Sequence, residues 1–210
     1  MVMSSQFQVL GVSVAQIMII ILCAGCTQSA TSTPKGTSIV SPEITTIPGS
    51  AIAKPGPAVS EKKVRLETTM GNITIALDPE MPITTGHFES LVARGFYNGV
   101  IFHRVMDGFM IQGGDPTGTG SGGSGSPIPD EFTSNNRNDR GTVAMANAGP
   151  NTGDSQFFIN LVNNNYLDKK HPVFGTVVEG MDVVDLIAKT RTGPDNRPLQ
   201  NVTILKASLI

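Results

Sequence analysis

The chain has 210 residues, with 15 Lys and Arg against 17 Asp and Glu and a formal net charge of −2. That length holds one domain plus appendages, and the near-balanced charge points to neither a nucleic-acid surface nor an anionic-membrane patch. The two cysteines, Cys23 and Cys26, both lie in an apolar N-terminal segment, and the apolar run at 17–22 argues against a reactive dithiol or a metal pair there.

Residues 7–26 are almost wholly apolar, and the composition then changes abruptly. This pattern marks a secretory signal or a membrane anchor. The ending Leu22-Cys23-Ala24-Gly25-Cys26 resembles the lipobox of prokaryotic lipoproteins, which implies lipidation at Cys26. Cys23 stands where leucine is usual, and no Lys or Arg precedes the apolar run. The rival is an uncleaved transmembrane helix, since about 20 apolar residues span a bilayer. The polar tract that follows the small-small-cysteine ending favours the lipoprotein. Both readings place the protein outside the cytoplasm, membrane-anchored, in a prokaryote. Residues 27–61 are dense in Thr, Ser, Pro, Ala and Gly. Such a tract buries too little apolar surface to offset its ordering entropy, and its prolines make it a semi-stiff tether.

The folded domain is expected at 62–210. Residues 64–69 and 72–77 alternate apolar and polar around Met70-Gly71, which predicts a β-hairpin. Pro82 suits a first helical turn. The helix predicted at 83–94 puts Phe88, Leu91 and Val92 on its inner face, with Gly86 as a weak point. Strands are expected at 100–105, 109–113, 142–146, 157–161, 174–178 and 202–209. A second helix at 181–189 carries Val184, Ile187 and Ala188 at helical spacing. Many strands and two helices predict a mainly β fold, a closed barrel whose ends are covered by the helices.

The chemistry concentrates in residues 102–115 (FHRVMDGFMIQGGD). Arg104 sits there among large apolar side chains. It cannot lose its proton at ordinary pH, so it cannot act as a base, but its rigid fork donates hydrogen bonds. An apolar pocket with one fixed donor suits a reaction that needs neither nucleophile nor proton acceptor. Two further stretches stand in order behind it: 145–159 (MANAGPNTGDSQFFI) and 166–175 (YLDKKHPVFG). Together the three segments resemble the cyclophilins, the peptidyl-prolyl cis-trans isomerases, and the resemblance runs over residues 62–210.

The resemblance implies a cyclophilin-like closed eight-stranded antiparallel barrel capped by two helices. It implies Arg104 as the catalytic arginine, Gln112 as the residue orienting it, and Ala146 and Asn147 as an extended stretch that pairs with the peptide. Phe109, Met110, Phe158 and Leu167 match the proline-pocket wall, Gln156 a further polar contact and His171 the pocket edge. Gly120-Ser121-Gly122-Gly123 resembles the loop beside a neighbouring subsite. Tyr166 replaces the tryptophan of many members. Tyr lacks an indole donor at the rim, so the rim used by cyclosporin-like cyclic peptides is altered while the catalytic centre is retained.

The reading needs no cofactor and no metal. Isomerisation needs no base, so His103 is assigned a structural or peripheral place and His87 a solvated one. The three histidines lack metal-ligand spacing. Asp115 and the Asp130-Glu131 pair are expected to be solvated in loops. The glycines at 113–125 lack the Lys-Ser/Thr of a phosphate cradle. Asn72-Ile73-Thr74 and Asn201-Val202-Thr203 are glycosylation-type sequons. The expected function is isomerisation of Xaa-Pro bonds in unfolded or flexible polypeptides, by a monomer that assists the folding of exported proteins. The rival is a proline-peptide binding module or holdase. Retention of Arg104 and Gln112 favours the enzyme, because binding alone needs only apolar walls.

Overall fold

The protein is described by a computed structural model covering residues 62–210. The apolar segment, Cys26 and the tether lie outside the described residues. β1 (Lys63–Thr68) and β2 (Gly71–Leu77) form the expected hairpin. Val64 and Leu66 face Ile75 and Ile73 across the ladder, and all four are fully buried, as period-two alternation dictates. Thr68 Oγ1 ties the turn by donating to Gly71 O at 2.7 Å and accepting from Met70 N at 3.1 Å.

α1 (Pro82–Ala93) begins with proline at its first turn and has no side-chain cap of its own. Its free N-terminal amides are satisfied from 47 residues away. Ile83 N–H and Thr84 N–H donate to Glu131 Oε2 at 3.1 and 2.9 Å, and Thr84 Oγ1 adds a third bond at 3.0 Å. A carboxylate there also suits the positive end of the helix dipole. Phe88, Leu91 and Val92 are buried as expected. Phe88 contacts Tyr97, Phe157 and Phe174 at ring separations of 5.0 to 5.5 Å, which fixes the helix against the sheet.

The remaining elements are β3 (Arg104–Met106), β4 (Met110–Gly113), β5 (Thr142–Met145), β6 (Phe157–Asn160), β7 (Val173–Glu179), α2 (Met181–Ala188) and β8 (Ile204–Leu209). All eight strands belong to one antiparallel sheet in the order β3-β4-β6-β5-β7-β2-β1-β8. The sheet is a curled half-barrel, not the closed barrel expected. β3 and β8 end the ladder and do not pair with each other. An isolated Ile101–Thr203 bridge spans the gap, flanked by Phe102 N–H to Val202 O at 2.9 Å, Gly99 N–H to Ile204 O at 2.7 Å and Ile204 N–H to Val100 O at 2.8 Å. The expected strand at 100–105 is split for the same reason. Its first half bonds toward β8 and its second half turns to pair with β4.

The concave side encloses the main core, which includes Leu66, Ile73, Phe102, Ile111, Phe157 and Phe174. A second, smaller apolar cluster lies on the opposite face: Met110, Ala144, Phe158 and Leu167, with Met106, Phe109, Ala146 and Val173 packed against it. β4 and β6 are therefore apolar on both faces, so they read as continuous runs in sequence. A 3₁₀ turn at Asn165–Leu167, which the periodicity does not foretell, delivers Leu167 to this second cluster. Among the described residues no helix is long and apolar enough to cross a membrane.

Candidate active site

Strand register builds the site. Arg104 lies opposite Gln112, Gln112 opposite Phe158, and Phe158 opposite Ala144. Because side chains alternate between faces, this row crosses four strands on the outer face. Met106 and Met110 form the adjoining row. Arg104, Phe109, Met110, Gln112, Ala146, Asn147, Phe158, Leu167 and His171 enclose a cavity of about 310 Å³. Residues from β3, β4 and β6 thus meet two loops, both more than 30 residues beyond β3 and β4 in sequence.

The polar groups form a directed chain. Arg104 Nη1–H donates to Gln112 Oε1 at 3.4 Å, and Nη2–H lies 3.0 Å from Met106 Sδ. The guanidinium carbon sits 5.9 Å from the Phe109 ring centre, at the outer edge of cation–π range. Gln112 Nε2–H donates to Gln156 Oε1 at 2.9 Å, and Gln156 Nε2–H donates to Gly120 O and Gly122 O at 3.1 and 2.8 Å. Among the described residues these partners of Arg104 are neutral, so no carboxylate quenches its charge. A half-buried, unquenched fork beside an apolar cavity can stabilise electron density that develops on a ligand.

The other expected residues fall at different distances from this centre. Asn147 lines the cavity, but its side chain is occupied: Nδ2–H donates to Lys170 O at 2.8 Å. His171 packs edge-on to Phe158, ring centres 5.4 Å apart, with Nδ1 3.1 Å from Met145 O. Burial holds its pKa below the ordinary imidazole value, opposed by the Met145 carbonyl. Tyr166 lies outside the cavity lining; it is 67% exposed and stacks on Phe109 at 6.4 Å. Gln156 lines a neighbouring cavity of about 500 Å³, which shares Gln112, Ala146 and Asn147 with the first.

Four residues assigned to solvent are built into the structure. Asp115 is fully buried. Its carboxylate accepts from Thr117 N and Oγ1, both at 2.7 Å, and from Gly120 N and Gly122 N at 2.6 and 3.1 Å. Burial alone would raise its pKa, but these donors outweigh it and hold the group well below the usual carboxylate range. The Asp130-Glu131 pair is likewise structural: Asp130 exchanges bonds with Asn151 N and Oδ1, both at 2.9 Å, while Glu131 caps α1. His87 is 12% exposed, not solvated, and its Nε2 lies 3.6 Å from Asp154 Oδ1. His103 is buried, in keeping with a structural place, and burial lowers its pKa. Asp115 carries a sequence signal, an Asp followed by a Thr/Gly loop that it can cap; His87 and Glu131 have only distant partners and carry none.

The outer face of a curled antiparallel sheet thus joins one cationic fork to a cavity walled on one side by apolar side chains. Residues 63–209 match the family model described as cyclophilin type peptidyl-prolyl cis-trans isomerase/CLD. Peptidyl-prolyl cis-trans isomerase-like 1 of Gibberella zeae is 45% identical over 150 residues, covering 69% of this chain and 93% of that one. Peptidyl-prolyl cis-trans isomerase CYP71 of Arabidopsis thaliana is 48% identical over 153 residues, which are only 24% of its length. A Cryptosporidium parvum cyclophilin type isomerase, crystallised in the presence of the dipeptide ala-pro, is 33% identical. It superposes with a TM-score of 0.68 over 70% of this chain and 98% of that one. The chain belongs to the cyclophilin family and is a peptidyl-prolyl cis-trans isomerase.

Proposed function

We propose that the proline ring of an Xaa-Pro segment enters the cavity walled by Phe109, Met110, Phe158 and Leu167, and that Arg104 donates to the prolyl nitrogen. The observation that carries this reading is the register row that sets Arg104 against Gln112 at the edge of an apolar cavity. An amide resists rotation by about 18–20 kcal/mol because the nitrogen lone pair is shared with the carbonyl. A donor aimed at that nitrogen binds the twisted amide, where the lone pair is localised, more strongly than the planar one. Only such differential binding accelerates the step. Each tenfold gain needs about 1.4 kcal/mol. Gln112 holds the fork, and the backbone of the Ala146–Asn147 stretch pairs with the extended peptide. No proton is transferred.

The substrates on this reading are unfolded or flexible chains outside the cytoplasm, and the physiological task is folding of exported proteins by a membrane-tethered monomer. The ending at Cys26 and the Thr/Ser/Pro-rich tract at 27–61 support that placement. An NMR exchange assay on a short Xaa-Pro peptide tests the chemistry, with Arg104→Ala as its control. Mass spectrometry of the mature N-terminus tests the tether: lipid on Cys26 is expected, and an unmodified Met1 rejects it.

A further inference from the structure

The cavity of about 500 Å³ beside the proline pocket is lined mostly by backbone and neutral side chains, with a single charged residue in its wall, Asp154. The Asp154 carboxylate is 19% exposed. Oδ1 accepts from Ser124 Oγ, and Oδ2 accepts from Gly125 N at 2.9 Å. With His87 Nε2 also 3.6 Å from Oδ1, these two donors leave acceptor capacity chiefly on Oδ2, since a carboxylate offers about four lone-pair positions. The loop can lie this close only because position 123 is glycine: a Cβ there would stand 2.4 Å from Oδ2. The cavity shares Gln112, Ala146 and Asn147 with the proline pocket. A peptide running out of the first along that wall therefore lays a flanking side chain in the second. A third cavity of about 340 Å³, which shares Gln112 and Gly120 with this one, is bordered by Arg104 and Arg197 against one carboxylate, Asp195. The two cavities thus differ in the sign of their charged residues.

We infer that Asp154 is a specificity-determining residue, which selects substrates carrying Lys or Arg within three residues of the isomerised proline. This rests on the proline occupying the Arg104 cavity. The attraction is that of a partly exposed ion pair, worth roughly 0.2–1 kcal/mol, and a glutamate in the same position is repelled by a similar amount. The Lys-to-Glu preference in kcat/KM is therefore about two- to thirtyfold, with the midpoint near eightfold. A residue that only anchors the loop would affect both peptides alike.

The test is NMR exchange at pH 8, where an ordinary imidazole is neutral. The substrates are Ala-rich peptides with one proline and a Lys, Ala or Glu placed in turn at each of the three positions on either side. One position is expected to show the preference in the wild type. It should shrink to less than about twofold in Asp154→Asn, and shrink again when 0.5 M salt screens the charge of the wild type. Because each ratio is taken within one protein, partial loosening of the loop in the variant cancels. Charge-blind turnover at every position, or a preference unchanged in Asp154→Asn and in salt, overturns the inference. Absence of turnover with the all-Ala peptide would instead sink the reading on which it rests.

Discussion

The two cavities that meet at Gln112 are built in opposite ways. The one beside Arg104 is placed by strand register: Arg104, Gln112, Phe158 and Ala144 stand in one row because β3, β4, β6 and β5 pair as they do. The neighbouring one is a loop, and two carboxylates hold it. Asp115 binds the amides of Gly120 and Gly122, and Asp154 binds Ser124 and Gly125. A Cβ at position 122 would lie 2.2 Å from Asp115 Oδ1, so glycine is what lets the loop close on its anchor. The contrast teaches that the proposed reacting centre draws its precision from the sheet, whereas the adjoining wall can change its chemistry through a few polar residues without disturbing that centre.

Four changes break or sharpen the contrast. Arg104→Ala has the largest effect: kcat/KM falls by about 10²-fold or more, the scale for removing one preorganised donor, with the melting curve little altered because the side chain is half-buried and unpaired with any carboxylate. Asp115→Ala strikes the loop. It strands the Gly120 and Gly122 amides and is expected to cost about 1–3 kcal/mol or more in denaturant unfolding. The wild type should show the matching acid limb. The folded Asp115 is held below its unfolded value, so it stabilises above about pH 4 and that stabilisation is lost as pH falls further. The limb should be shallower in Asp115→Asn. Tyr166→Trp is milder. It restores an indole donor at an exposed rim position, and calorimetry should show tighter cyclosporin binding with a smaller change in turnover than Arg104→Ala produces. The smallest expected effect is that of pH on turnover. No proton moves in the reaction and burial holds His171 below its ordinary value, so kcat/KM should be level from about pH 6.5 upward. A bell-shaped profile would mean that a titrating group takes part.

Much of the fold was legible because its signals are local. The hairpin at 63–77 announces itself by alternation, and α2 by Val184, Ile187 and Ala188, all buried as expected. The closed barrel was not borne out. Whether the ladder closes depends on how the segment at 99–106 divides its bonds between β8 and β4, and no local pattern encodes that division. The same distinction runs through the site. Residues inside long motifs, such as Phe158 and His171, could be placed beside Arg104 from the motif alone. Glu131 and His87 could not be, because their partners are distant: a carboxylate that caps a helix 47 residues away looks in sequence like any solvated acid. Tyr166 was read as a rim residue and Gln156 as a further polar contact; the first stacks on Phe109 outside the cavity lining, and the second faces the second cavity.

The central claim is that Arg104 supplies differential binding of the twisted amide, not binding of the peptide. NMR exchange spectroscopy on one Xaa-Pro peptide reads both quantities at once: the affinity from bound shifts and the cis–trans rate from cross-peaks. The account predicts that Arg104→Ala keeps its affinity within about threefold while the catalysed exchange rate falls by about 10²-fold or more. Equal losses in affinity and rate, or full exchange in a folded Arg104→Ala protein, would contradict it.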